Sequence, residues 1–418
     1  MFQRCTSIFI EAFGRRNKMS SKHEITVIIT KNGTPGLTFA LNTLDEKWEK
    51  VFRDLELDFR FNTVKVNDNR SVKENIDKNG INIIVDGSFV ADMQSVEKGV
   101  EFGIAKLSEG DIVYAGNQEN GVMPFVIGHG NTFLNIDFDF FNSEADNSVD
   151  EIVAQTKQLE NITVAEIKLE NGFWKKITTP EEASVAEWEM LKLLQYRPGG
   201  LVAKFLNRPF SIRMTRKILN IPFITPNLVT IADFFLGLFA LWFIFKGGYM
   251  MTVFGAFLLH LNSIIDGVDG EIAKMRHQSS PVGGYLDSVS DEILGAILYI
   301  ALGWNIASST GSWIFLVLGI ITSICSFGYA LIHWHCKWKH GLGFYYWWEC
   351  YKPRKEVQRS NSAVSYLKKL FWRDSIILIV FLAALFRFID VFLIVTVIPA
   401  VVNFTLVMVH IFVKKARW

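Results

Sequence analysis

The second half of the chain carries six strongly apolar stretches, at 227–245, 249–272, 284–306, 313–333, 374–388 and 391–413. Most come close to the roughly 20 residues that cross a bilayer core. Backbone amides in hydrocarbon must be satisfied within their own segment, so stretches of this kind fold as helices. The expected fold class is therefore an α-helical integral membrane bundle of six transmembrane helices. The stretch at 374–388 is the shortest. Basic residues flank the first span, the 274–277 turn, the long 337–373 loop and the 414–417 tail, whereas 305–312 is uncharged. That asymmetry places both termini on the cytoplasmic side.

Inside this apolar background lie four carboxylates, Asp266 and Asp269 in the second stretch and Asp287 and Asp291 in the third. Acids at bilayer depth are costly and normally face a cavity or a cation. At about 100° per residue, Asn262, Asp266, Asp269, Gly270 and Ala273 share one helix face. Gly283, Asp287, Ser290, Asp291 and Leu294 share another. Two small-residue faces meeting would bring the four carboxylates together and leave room for a ligand. An all-oxygen cluster suits hard divalent cations, Mg²⁺ or Mn²⁺, and a pair of such ions clamps a pyrophosphate. The competing reading is that the acids pair with cations to hold helices together, but the only basic neighbours in sequence are Lys274 and Arg276.

The pattern Asp266, Asp269, Gly270, Ala273, Lys274, eight residues, Gly283, Asp287, Asp291 resembles the signature of the CDP-alcohol phosphotransferase (phosphatidyltransferase) family. Lys274 stands where that family has Arg, which keeps the charge and loses the bidentate fork. The resemblance runs from about residue 201 to the end, and Thr225, Pro226, Asn227 and Thr230 resemble the start of the family's first helix. It implies transfer of a phosphate-linked alcohol group from a CDP-alcohol to an acceptor alcohol, with release of CMP. In that family Asp266, Asp269, Asp287 and Asp291 would ligate two divalent metals, Asp291 serving also as general base. Gly270, Lys274, Ser280, Asn227 and Thr230 would line the CDP pocket. Arg213, Arg216 and Arg373 would bind a phosphate on the acceptor, or reach lipid headgroups. The donor would be of the CDP-diacylglycerol or CDP-inositol type, and the family suggests a homodimer in phospholipid or polar-headgroup synthesis.

Ahead of the membrane part, β-branched runs alternate with amphipathic ones between residues 25 and 114, which predicts an α/β domain with a largely parallel sheet. Two features resemble the nucleotidyltransferase fold: a strand ending in Asp86-Gly87, and a tail with Trp174, Thr179, Pro180 and Glu181. The glycine-rich phosphate loop expected after the first strand is replaced by Lys31, Asn32, Gly33, Thr34, Pro35, Gly36, and two expected acids are Lys176 and Thr178. A magnesium-nucleotide site is thus incomplete, and the domain reads as non-catalytic. The fused arrangement is similar to archaeal inositol-phosphate cytidylyltransferase/di-myo-inositol-phosphate synthase enzymes. Glu292 differs from the Arg expected there after the last acid.

The resulting division is an N-terminal extension at 1–22, a soluble domain at 23–196, a juxtamembrane segment at 197–224 and the membrane domain at 225–418. In the juxtamembrane segment Lys204, Arg208, Arg213, Arg216 and Lys217 interleave with apolar residues, as in a helix at an anionic surface. Pro209 predicts a break into two short pieces. Three smaller features stay open. Asp233 either lines the acidic cavity or pairs with His260. Arg373-Asp374 reads as a charge pair opening a helix. His333, His335, Cys336 and His340 lie in an aromatic-rich stretch that reads as an interfacial belt rather than a zinc site. The net charge of +1 gives no argument for nucleic acid, and four scattered cysteines without CxxC spacing fit a reducing compartment. The alternative function is a non-catalytic cation-binding or transport protein. The spacing of Gly270, Ala273 and Gly283 favours the enzyme, because an ion path needs no nucleotide pocket.

Overall fold

The computed structural model describes residues 24–30, 37–55, 57, 59–66, 69–107, 111–117, 121–136, 148–158, 162–168, 172–196, 199–340 and 372–413. The N-terminal arm, the 31–36 loop, the aromatic stretch after residue 340 and the basic 414–417 tail lie outside them, as do the side chains of His333, His335, Cys336 and His340. The chain divides into two compact units. One is Met1–Leu193 with Met275–His277, the other Leu194–Lys274 with Gln278–Trp418.

The first unit is built on a six-stranded sheet. Its strands are β1 (Glu24–Thr30), β4 (Arg60–Val66), β5 (Ile81–Asp86), β7 (Ile112–Asn117), β8 (Gly121–His129) and β9 (Val164–Lys168), in the order β4-β1-β5-β8-β7-β9. Two short pairs complete the strands: β2 (Thr38–Phe39) with β3 (Asn42–Thr43), and β6 (Phe89–Ala91) with β10 (Trp174–Lys176). The sheet is mixed rather than largely parallel. β1 runs parallel to β4 and β5, but β8 is antiparallel to both β5 and β7. The alternation of strand and helix misses β8, because β8 follows β7 directly and the two form an antiparallel pair, a connection that needs no crossover helix.

Both faces of the sheet are covered. Ile25, Val27, Ile83 and Val85 pack with Trp48 and Phe52 of helix α1 (Leu44–Asp54) on one side. Ile28, Ile84 and Val126 pack with Val149 and Ile152 of α5 (Ser148–Gln158) on the other, with α2 (Asn69–Asn75), α3 (Met93–Lys106) and α4 (Gly130–Phe133) filling out the layers. Each fully buried Val, Ile or Phe contributes about 1.5–3 kcal/mol, which is why strands buried on two sides read as continuous β-branched runs. Helix α6 (Pro180–Gln195) starts where the sequence says it should: Thr179 Oγ1 accepts from Glu182 N at 3.2 Å, and Glu182 Oε2 accepts from Thr179 N at 3.2 Å. That is a capping box with proline in the first turn.

The second unit opens with a π turn (Ala203–Asn207) that runs into α7 (Arg208–Ile218) without a break. Two pieces separated at Pro209 were expected. Pro209 instead occupies the first turn of α7, where its missing N–H is not needed, and the wider π turn absorbs the irregularity. Six apolar helices follow, α8 (Pro226–Lys246), α9 (Tyr249–Met275), α10 (Pro281–Thr310), α11 (Ile314–His340), α12 (Arg373–Leu385) and α13 (Ile389–Val413). Five of these are long and apolar enough to cross a membrane. The exception is α12, whose 13 residues rise only about 20 Å at 1.5 Å each. Side chains such as Leu241, Ile244, Leu298, Ala301, Val380 and Ala384 form the core that holds α8, α9, α10 and α12 together. Where α10 crosses α11, a Cβ on Gly303 would sit 2.6 Å from Phe315 O and one on Gly319 would sit 2.4 Å from Tyr299 O, so only glycine permits this approach.

Candidate functional site

Helix α10 begins at Ser280, whose Oγ accepts from Gly283 N at 3.0 Å, with Pro281 in the first turn. This cap fixes where the helix starts, and therefore the face on which Asp287 and Asp291 project. On α9 the same 3.6-residue periodicity turns Asp266 toward them. Carboxylate oxygens of Asp266, Asp287 and Asp291 all lie within 4.8 Å of one another. Three like charges this close need a cation. Among the described side chains it is Arg373, whose Nη1 lies 3.1 Å from Asp266 Oδ1 and 2.5 Å from Asp291 Oδ2.

Two expectations are corrected here. Arg373 and Asp374 open α12 as expected, but each makes its contacts with another helix rather than with the other. Arg373 joins the acids, while Asp374 Oδ1 accepts from Ser263 Oγ at 2.9 Å and from Asn207 Nδ2 at 3.2 Å. The supply of cations also extends beyond Lys274 and Arg276, because α12 brings a basic group from about 100 residues further on, which no local reading can see.

The fourth expected ligand, Asp269, is engaged differently. Its Oδ2 accepts from Thr230 Oγ1 and its Oδ1 from the Gly270 backbone N. Thr230 is itself placed by the start of α8, where Thr225 Oγ1 accepts from Leu228 N at 3.3 Å. Asn227 and Ser280 come together around Gly283: a Cβ there would lie 3.0 Å from Asn227 Oδ1 and 3.1 Å from Ser280 Oγ. A Cβ on Gly270, by contrast, would meet nothing within 4 Å, so the acidic face of α9 borders open space. Arg213 and Arg216 lie on the exposed side of α7, with Arg213 Nη1 donating to Pro209 O of its own helix.

Glu271 and its two partners, Ser211 and Thr215, went unrecognised in the sequence. Glu271 is buried and clamped to α7, taking Ser211 Oγ at 2.6 Å on Oε1 and Thr215 Oγ1 on Oε2. Ser211 and Thr215 are four apart on α7, a spacing that flags one polar stripe on a helix otherwise read for its charges. Asp233 is buried on α8, within charge–charge range of Asp266, Asp269 and Asp291. Asn262 Nδ2 donates to the Asp233 carbonyl at 2.8 Å and ties α9 to α8.

The donor set is all carboxylate oxygen, close-spaced and only partly exposed, and it fits a hard divalent cation. Asp266, Asp287 and Asp291 are the residues that would hold it.

In the first unit, Asp86 ends β5 as expected but is directed inward. It is buried, and its Oδ1 accepts from Ser88 N at 2.9 Å and Ser88 Oγ at 2.6 Å. Gly87 N donates to Thr30 O at 3.0 Å, and a Cβ on Gly87 would lie 2.1 Å from that oxygen. Turn geometry thus explains the Asp-Gly pair without a nucleotide.

Fold and site together define a multi-helix protein of membrane type with a carboxylate centre between its helices. Residues 223–342 match the family described as CDP-alcohol phosphatidyltransferase. Curated relatives agree. A protein named bifunctional IPC transferase and DIPP synthase from Aquifex aeolicus is 28% identical over 186 residues, 41% of this chain and 42% of that one. Its namesake from Thermococcus kodakarensis is 33% identical over 28% of this chain and 26% of its own. Inner membrane protein YnjF of Escherichia coli is 30% identical over 27% of this chain and 54% of its own. The chain therefore spans less than half the length of the bifunctional relatives it matches.

Proposed function

We propose that this protein is a membrane transferase that moves a phosphate-linked alcohol group from a CDP-alcohol to an acceptor alcohol, releasing CMP. The observation that carries this reading is the convergence of Asp266, Asp287 and Asp291 within 4.8 Å beside the open space at Gly270. Two divalent ions, Mg²⁺ or Mn²⁺, held by Asp266, Asp269, Asp287 and Asp291 would neutralise the pyrophosphate and the departing CMP. Asp291 accepts the proton of the attacking hydroxyl. Arg373, on the same carboxylates, supplies the positive charge that an acceptor phosphate or the transferring phosphoryl group needs. Asn227, Thr230, Gly270, Lys274 and Ser280 line the CDP side, and Arg213 and Arg216 lie on the acceptor or headgroup side.

We further infer that α12 counts as a sixth, short crossing, with both termini and the soluble domain cytoplasmic and the protein a homodimer. The relatives' names favour an acceptor or donor of the inositol-phosphate type in polar-headgroup or phospholipid synthesis. The inward-facing Asp86 supports a non-catalytic soluble domain; formation of a CDP-alcohol from CTP with magnesium by that domain would refute this.

The test is Mg²⁺- or Mn²⁺-dependent CMP release by the detergent-purified chain, from CDP-diacylglycerol and from CDP-inositol, with glycerol 3-phosphate, myo-inositol 1-phosphate and serine as acceptors. Release above an Asp291→Asn control supports the reading. Metal binding without CMP release from any donor would favour the cation-binding alternative.

A further inference from the structure

One turn before the acids on α9, and beside it on α8, two buried side-chain oxygens have no hydrogen-bond partner among the described residues: Asp233 Oδ1 on α8 and Asn262 Oδ1 on α9. Asp233 is 6% exposed and Asn262 is 0% exposed. An unsatisfied acceptor at such a position costs about 1–3 kcal/mol, more for a charged group, so native structures rarely leave one without a use.

Their placement relates them to the site. Asn262 is four residues before Asp266 and on the same face of α9, so it lies about 6 Å along the axis from it. Asp233 is three residues beyond Thr230, which holds Asp269, and within charge–charge range of Asp266, Asp291 and Arg373. The Asn262 Nδ2 bond to the Asp233 backbone carbonyl, 2.8 Å long, ties the Asn262 side chain to α8 at Asp233, while neither residue's Oδ1 has a hydrogen-bond partner among the described residues. On α10, Gly295 follows Asp291 by four residues, and a Cβ there would meet nothing within 4 Å. Gly295 therefore borders open space as Gly270 does.

From this geometry, and resting on the transferase reading above, we propose that Asp233 and Asn262 form a specificity subsite for the acceptor alcohol. They accept hydrogen bonds from a second donor group, a hydroxyl or an ammonium, carried beside the hydroxyl that reacts at Asp291. Both residues offer only oxygen acceptors there, so an alcohol whose remainder is apolar would leave two buried acceptors dry and be rejected. A site built to hydrogen-bond a substrate hydroxyl discriminates strongly against the analogue that lacks it.

The experiment compares glycerol 3-phosphate with 3-hydroxypropyl phosphate, which lacks only the middle hydroxyl, and serine with 3-hydroxypropionate, which lacks the ammonium group. Each is tested as acceptor for the full-length detergent-purified chain with magnesium, against both donors. The expected result is at least a tenfold preference in kcat/KM for the donor-bearing member of one pair. Asp233→Leu or Asn262→Leu abolishes that preference while the KM for the CDP-alcohol changes less than twofold. Asp233→Asn separates the two chemistries: it retains a preference that depends on a hydroxyl and loses one that depends on an ammonium. Thermal unfolding in the presence of each acceptor provides a second readout, the donor-bearing compounds raising the midpoint of wild type but not of the Leu variants. CMP release with no discrimination in wild type, or discrimination unchanged in both Leu variants, overturns the subsite and leaves the transferase reading standing. No CMP release from any donor by wild type overturns the transferase reading and this one with it.

Discussion

Replacing Arg373 by Gln removes the cation that Asp266 and Asp291 share at 3.1 and 2.5 Å. Deleting one partner of a buried ion pair typically costs about 3–5 kcal/mol, because the remaining charges stay desolvated and unpaired. The three side chains here are 29%, 25% and 22% exposed, so water screens part of the interaction and the lower end, about 3 kcal/mol or less, is the expected loss. The same carboxylates are the proposed metal ligands, so a divalent ion substitutes for the guanidinium. By linkage, an ion at a hundred times its Kd returns about 2.7 kcal/mol. Thermal unfolding in detergent, with EDTA and then with magnesium chloride, reads both effects. Arg373→Gln melts well below wild type in EDTA, and magnesium raises its midpoint by more than it raises that of wild type. A variant that melts with wild type in EDTA, or that gains no more from magnesium, would refute the shared-cluster reasoning.

Other consequences can be checked with the same preparation. Substituting Ser211→Ala and Thr215→Val together strips both hydroxyl donors from buried Glu271. At about 1.5–3 kcal/mol for each bond to a charged group, the loss should be several kcal/mol in thermal unfolding, and adding Glu271→Leu should recover part of it. Gly270→Val places its side chain in open space, so the fold is retained, as read by the melting midpoint, while CMP release falls at least a hundredfold. In the α/β unit, burial pushes the Lys47 ammonium down to about 7, partly opposed by Glu187. The unfolded chain binds that proton more tightly, so the unit is penalised below pH 7 and gains stability as pH rises from 7 toward 10.5, at up to about 1.4 kcal/mol per pH unit. Urea unfolding followed between pH 7 and 9 should show that slope, and Lys47→Met should flatten it.

The residues of the acidic site were readable because their chemistry is local. Asp266, Asp287 and Asp291 lie at helical spacings on two adjacent segments, and periodicity alone predicts which faces they share. What was not readable arrives from elsewhere in the chain or depends on small polar atoms. Arg373 reaches the acids from α12, Thr230 takes Asp269 out of the three-carboxylate group, and Ser211 with Thr215 captures Glu271. None of these pairings has a fixed sequence separation. In the α/β unit, two-sided burial made β1 and β5 conspicuous, whereas β8, with glycine at both 121 and 128 and a proline at 124, lacks that continuous β-branched signature and was passed over. The short α12 shows the limit of counting apolar residues, since the stretch read at 374–388 bends at Arg387, whose φ of 62° ends the helix.

The most direct test of the central claim is CMP release from CDP-diacylglycerol and CDP-inositol by the purified full-length chain, with and without magnesium or manganese, beside Asp266→Asn, Asp287→Asn and Asp291→Asn. The expected result is metal-dependent release by wild type and a loss of at least a hundredfold in each variant. Equal release by wild type and the Asp291→Asn protein, or none by wild type with either donor, would contradict it.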